Sequence, residues 1–199
     1  DPVEPSTEDM LNRAAEAEEA MLGVEGITNS GGASAGWTKS SLVIATTNGF
    51  LGSDQSTRQG LSVSGIAGEG EAQKRDYDYS LAVFGEDLKD AREIGLEAGR
   101  RSVRQLGAKQ GATAQVPVIF EPRVAVRMFA LLMGAINGES VVRGTSLLAD
   151  HVGKPVIAPG LSVFEDPFRE RGQGSRPFDG EGLPVRQNTL FDQGILTTH

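Results

Sequence analysis

The chain has 199 residues, 19 Lys and Arg against 27 Asp and Glu for a formal charge of −8, no cysteine and only two histidines. That length suits one domain or two small ones with a real core, and the missing cysteines exclude disulfides and every cysteine-containing zinc or iron–sulfur site within the chain. The acidic balance argues against a direct nucleic-acid partner, because that affinity comes from Lys and Arg displacing counterions.

The first five residues, Asp1 to Pro5, carry neither a basic segment nor an apolar one, so they do not read as a signal peptide and suggest an internal cut. Ser6 then caps a helix in which Met10, Ala14, Ala17 and Met21 recur at helical spacing, and Gly23 closes it. A Gly-rich region with Ser, Thr and β-branched residues follows and reads as antiparallel sheet. Strands are expected over 37–47, 50–56 and 61–67, with Asn48-Gly49 as a tight hairpin turn. The alternation over 75–84 separates Tyr77, Tyr79, Leu81 and Val83, expected inward, from Asp76, Asp78 and Ser80, expected in water.

A second helix is expected over 86–106, acidic at its start and basic at its end as the helix dipole prefers, with Leu88, Ala91, Ile94 and Ala98 as its buried stripe. Residues 107–115 form a polar connection where a boundary can fall, dividing 1–107 from 116–199. Val116 to Phe120 reads as a short strand buried on both faces. Pro122 starts a third helix to about Asn137, apolar on nearly every side and therefore expected at the centre of a core. Its most apolar run, Met128 to Ile136, is far below the ~20 residues a membrane span needs, and no membrane partner is expected. The remainder is loop-rich, with short strands over 188–191 and 195–198. The fold class is α+β: a Gly-rich antiparallel sheet with packed helices, one of them buried and apolar.

Several motifs invite chemistry. Gly32-Ala33-Ser34-Ala35-Gly36 has the G-x-S-x-G pattern of a nucleophile elbow, but no helix is expected after it, so Ser34 reads better as part of an inter-strand loop. His151 follows in an order that suits a base for Ser34, although a polar histidine beside Asp150 is more simply a surface or helix-end residue. Asp76 and Asp78 offer two carboxylates to a cation, and Glu165, Asp166 and Glu170 a further acidic group; solvated side chains are the plainer reading of both. Arg169, Arg171 and Arg176 among glycines suit an acidic partner or a solvated loop. Phosphate-binding loops of either common type do not occur. These residues do not combine into a catalytic, metal or cofactor-binding set.

An ordered group of segments carries a family resemblance: Gly26-Ile27-Thr28-Asn29 with Gly32-Ala33-Ser34, Arg75-Asp76-Tyr77-Asp78-Tyr79, Pro117-Val118-Ile119-Phe120, Val142-Arg143-Gly144-Thr145-Ser146, Pro177-Phe178-Asp179 with Glu181-Gly182, and Asp192 with Gly194-Ile195-Leu196. From about Gly26 onward the chain resembles the TldD/PmbA family, whose members are longer, so it looks like a middle portion of one. The resemblance implies a cytoplasmic proteolytic machine of two homologous subunits. One, TldD, is a metallopeptidase with a His-Glu-x-x-x-His helix and a later cysteine; the other, PmbA or TldE, lacks that motif. Matching the Arg-Gly-Thr-Ser segment places Phe129, Ala130 and Gly134 where the motif's two histidines and glutamate would stand. None can bind zinc, which needs about three protein ligands and an open position for water. The residues of that helix agree on their own account, since it has no His, Asp or Cys, and Glu121 and Glu139 lie outside its apolar stretch.

The leading expectation is therefore a non-catalytic PmbA/TldE-like subunit. It would carry no cofactor, pair with a zinc-bearing TldD-type subunit and help place an extended peptide for hydrolysis; a homodimer in the partner's absence is left open. Two alternatives stand beside it. One is an interaction protein that affects DNA gyrase indirectly, after the family's other label; the other is a serine hydrolase using Ser34.

Overall fold

A computed structural model describes residues 3–199; the expectations attached to Asp1 and Pro2 lie outside them. Helix α1 (Thr7–Leu22) starts where the sequence places it. The Ser6 hydroxyl accepts from the Asp9 N–H at 3.0 Å and the Asp9 carboxylate accepts from the Ser6 N–H at 3.3 Å, so two N–H groups at the helix start are satisfied reciprocally. The Ser6 hydroxyl also donates to the Asp9 carboxylate at 2.7 Å, and this bond, ahead of the one from the Ser6 N–H, holds the Asp9 carboxyl below the usual carboxylate range.

Strands β1 (Ile27–Ala45), β2 (Leu51–Ala67) and β3 (Lys74–Ala82) form an antiparallel sheet in the order β1-β2-β3. The hairpin turn falls at Asn48-Gly49, and Gly49 has a φ of +92°, a conformation that needs the missing Cβ. Where two strands are expected over 50–67 the chain forms one. It is long because β1 runs antiparallel beside it from Ile27↔Ala67 to Ala45↔Leu51. Strand β3 pairs only with Gln59 to Ala67, so the outer halves of β1 and β2 continue as a two-stranded ribbon.

Helices α1 and α2 (Ala91–Arg104) cover one face of the sheet, and Ala17, Met21, Leu61, Val63, Ile94 and Ala98 form the core between them. The Asp90 carboxylate caps α2 by accepting from the Glu93 N–H at 3.1 Å. This helix starts later than expected, because 85–87 form a separate short 3₁₀ turn. The two helices pack backbone to backbone: a Cβ on Gly95 would stand 2.1 Å from the Ala17 carbonyl oxygen.

The alternation of β3 holds but its inward side is reversed. Asp76, Asp78, Ser80 and Ala82 are buried, while Tyr77, Tyr79 and Leu81 are 40%, 45% and 46% exposed. The reason lies in α2 and the residue that ends it, which set Arg101, Ser102 and Gln105 against the sheet. Arg101 meets Asp78 at 2.6 Å, Gln105 donates to the Asp76 carboxylate at 2.7 Å, and the buried Ser102 hydroxyl accepts from the Asp76 N–H at 3.1 Å. Buried carboxylates are tolerated where each has such partners.

The chain divides into two compact units: the first runs to Gly111 and takes in Arg169–Pro184, the second comprises Ala112–Phe168 and Val185–His199. In the first, Phe178 packs edge-on against Phe50 with centroids 5.2 Å apart. Gln173 donates to the Leu81 carbonyl at 2.8 Å, and Arg171 pairs with Glu86 at 2.6 Å and Asp87 at 3.0 Å while lying 4.1 Å over the Phe84 ring. Arg171 thus binds acidic groups of its own chain.

In the second unit β4 (Val163–Glu165), β5 (Asn188–Asp192) and β6 (Ile195–Leu196) form a small antiparallel sheet, and Ile136, Leu148, Phe191 and Leu196 make its core. Helix α3 (Pro122–Ala135) starts at the expected proline and is followed by a short α4 (Gly138–Val142) that the sequence does not suggest. The class is α+β as expected, but α3 has no buried residue: Val126, Met128, Phe129 and Leu131 are all about half exposed or more, and only its last turn reaches the core. Val116 to Phe120 form no strand and are exposed, Ile119 at 97%. Apolar runs are read as buried because burial removes them from water; among the described residues no element covers Val116 to Phe120 or the exposed part of α3. Among the described residues no helix is long and apolar enough to cross a membrane.

Candidate functional site

With the helices on one face of the first sheet, its other face is open. The strand register puts Gly60, Ser62 and Ser64 of β2 opposite Leu81, Tyr79 and Tyr77 of β3, so a row of minimal side chains runs beside a row of tall ones. The Tyr77 and Tyr79 rings stack with centroids 6.1 Å apart and planes 25° apart. On the far side Ser34 of β1 faces Ser62, their hydroxyl oxygens 2.9 Å apart. The result is a shallow groove of about 580 Å³ along Gly31 to Ser34, Ser62 to Ser64, Arg75 and Tyr77.

At one end of the groove stands Arg75. Its Nε donates to the Ser64 hydroxyl at 2.8 Å and its Nη2 to the Gly31 carbonyl at 3.2 Å, which fixes the guanidinium plane. A Cβ on Gly31 would stand 2.9 Å from that Nη2, so the guanidinium lies close against the backbone of β1. No ion pair joins Arg75 to a carboxylate among the described residues. A hydroxyl, a carbonyl and one guanidinium of fixed orientation can bind an extended backbone and an anion; they form no acid–base pair for bond cleavage.

The residues singled out by sequence do not assemble into a reacting centre. Ser34 lies within β1, not in an inter-strand loop, and its neighbours on both sides continue the strand, so the turn into a helix that an elbow requires is absent. His151 belongs to the second unit, its N–H donating to the Leu148 carbonyl at 3.0 Å. Asp76 and Asp78 are not solvated; their carboxylates are occupied by Tyr77 N–H, Gln105 and Arg101. Glu165 accepts from Asn188 at 3.2 Å and Asp166 from the Phe168 N–H at 3.0 Å, while Glu170, Arg169 and Arg176 are exposed. The groove itself escapes the sequence reading, which turns Tyr77 and Tyr79 inward. Arg101 and Gln105, four residues apart and so on one side of α2 with Ser102 between them, are the signal that points the other way.

Metal fits poorly. Phe129 stands half exposed on α3 with Ala130 and Gly134, none of them a ligand, and no group of three His, Cys, Asp or Glu side chains comes close enough to hold a cation among the described residues.

This two-unit α+β fold with a helix-backed sheet defines a recognisable class. Residues 1–106 match the PmbA/TldA metallopeptidase central domain and residues 113–199 the PmbA/TldA metallopeptidase C-terminal domain. The chain belongs to the PmbA/TldD family. It is similar to Metalloprotease PmbA of Escherichia coli O157:H7, 35% identical over 197 residues that make up 98% of this chain and 44% of that protein. The Metalloprotease PmbA homolog of Haemophilus influenzae is 35% identical over 187 residues, 94% of this chain and 42% of that one. Among solved structures, a proposed modulator of DNA gyrase from Bacteroides thetaiotaomicron superposes with a TM-score of 0.92 at 28% identity, over 98% of this chain and 45% of that one. TldE from Thermococcus kodakarensis gives 0.83 at 20% identity over 98% and 44%, a likeness of fold alone. The chain spans less than half the length of these relatives.

Proposed function

We propose that the chain is part of a non-catalytic PmbA/TldE-like subunit that works with a TldD-type metallopeptidase in the hydrolysis of unfolded peptides. The observation that carries this reading is the composition of α3: Phe129, Ala130 and Gly134 occupy the positions that the family resemblance matches to a His-Glu-x-x-x-His motif. The hydrolytic step, its zinc and a cytoplasmic setting are assigned to the assembly, and this chain contributes surface that holds an extended peptide. Its own groove, with hydroxyls and carbonyls but no acid–base pair, supports a role in holding.

The test is hydrolysis of an unstructured peptide by the protein alone, by a TldD-type homologue alone and by the two mixed, with bound zinc measured in each. Hydrolysis that needs both proteins, with zinc only in the homologue, is the expected result. Hydrolysis or stoichiometric zinc in the protein alone would overturn it.

A second reading is favoured by the name of the Bacteroides structure: an effect on gyrase passing through protein contacts. It predicts that the protein changes supercoiling by purified gyrase without binding DNA in a salt-dependent manner.

A further inference from the structure

The sheet groove ends at Arg75, and the geometry points to a binding site there for the C-terminal carboxylate of an extended peptide. This rests on the peptide-holding role proposed above and gives that role a place and a chemistry. Three observations carry it.

First, the cation is prepared but not neutralised. The chain as a whole is acidic, yet Arg75 is exposed on the open sheet face without a carboxylate partner among the described residues. Two of its N–H donors are used by the Ser64 hydroxyl and the Gly31 carbonyl, which set the plane of the fork. The remaining donors suit the paired oxygens of a carboxylate.

Second, the groove has the section of an extended chain. Ser62 and Ser64 leave a low floor opposite Tyr79 and Tyr77, whose stacked rings form a wall against which alternate peptide side chains can lie. Hydroxyls at Ser34 and Ser62 offer both donor and acceptor to a passing backbone, which requires no particular peptide sequence.

Third, the position selects a terminus over an internal acidic side chain. One residue before Arg75 strand β3 begins, and β2 ends at Ala67, paired with Lys74. A peptide lying along the tyrosine wall from Leu81 toward Arg75 reaches the guanidinium where the sheet itself runs out, so the group that meets it is the end of the chain.

The test is fluorescence anisotropy of an N-terminally labelled, unstructured Ala/Ser decapeptide titrated with the protein. The peptide is used as the free acid, as the C-terminal amide, and as an amide with one internal glutamate. The free acid is expected to bind about tenfold more tightly than the amide. Arg75→Gln removes that preference, Arg75→Lys keeps part of it, and the internal glutamate does not restore it. Tyr77→Ser, which lowers the wall, weakens acid and amide alike while the preference persists. An unchanged preference in Arg75→Gln overturns the site, and an internal glutamate as effective as the free terminus overturns the assignment to a terminus. Failure of every peptide to bind overturns the site and the peptide-holding role together. A carboxylate preference that depends on Arg75, in a protein that supports no hydrolysis when mixed with the homologue, keeps the site and discards the proteolytic reading.

Discussion

The two units bury apolar surface in opposite manners. In the first, two helices cover one sheet face, and contact is so close that Gly95 has no room for a methyl group beside Ala17. In the second, the buried core is Ile136, Leu148, Phe191 and Leu196, and only the last turn of the most apolar helix, α3, packs against it. The difference teaches that hydrophobic composition alone does not locate a core. Small residues such as Ala17, Gly95 and Ala98 let the first pack closely around Met21, Leu61, Val63 and Ile94; Val126, Met128, Phe129 and Leu131 of α3 remain at the surface. Packing follows the partner available, because apolar surface gains only when another surface covers it.

The largest expected effect tests the thinner core. Phe191 is fully buried, so Phe191→Ala should cost about 4 kcal/mol. Amide hydrogen exchange over 188–196 should accelerate while α2 stays protected; equal acceleration in both units would show that they share one stability. Next is Gly95→Ala, expected to cost about 3 kcal/mol because backbone faces backbone at that contact. Trp37, the single tryptophan, lies on β1 and reports this loss as a lowered urea midpoint.

A smaller effect separates the two faces of β3. Asp78→Ala leaves the half-buried Arg101 without its 2.6 Å partner and should cost about 2 kcal/mol in the same urea assay, whereas Tyr79→Thr on the open face should stay within about 0.5 kcal/mol. Equal costs would put the sequence's original orientation of the strand back in contention. Smaller than the loss at Asp78 is the effect at the start of α1, where Ser6→Ala should cost about 1 kcal/mol. The same cap has a pH dependence of fixed sign. The Asp9 carboxyl is lower in the folded state than in the unfolded chain, so its contribution is complete above the ordinary aspartate range and is lost as pH falls through the folded value. Thermal unfolding of the wild type should therefore lose more on acidification than that of Ser6→Ala.

Local signals were the legible ones. Ser6 with Asp9, Asn48-Gly49 and Pro122 each act through bonds or torsions within a few residues, and the structure has a helix start, a hairpin turn and a helix start at those places. What the sequence concealed depends on a distant partner. The period of β3 is visible in Arg75 to Ala82, but which side faces inward is decided by Arg101 and Gln105, more than twenty residues on. The exposure of Val116 to Phe120 and of α3 has the same origin, since periodicity reports a face and not what covers it. The groove is a product of register: Ser62 and Tyr79 become floor and wall only when β2 and β3 align.

The return of Arg169–Pro184 to the first unit has a topological consequence. The polypeptide passes from one unit to the other three times, near Gly111, near Arg169 and near Pro184. A single nick in the polar connection over 107–115 cuts the chain into two covalently separate pieces, but residues 169–184 of the second piece stay packed on the first, with Arg171 clamped on Glu86 and Asp87. Limited proteolysis would release separate units only after several cuts, and a fragment ending at Gly111 would lose the segment that covers Phe50.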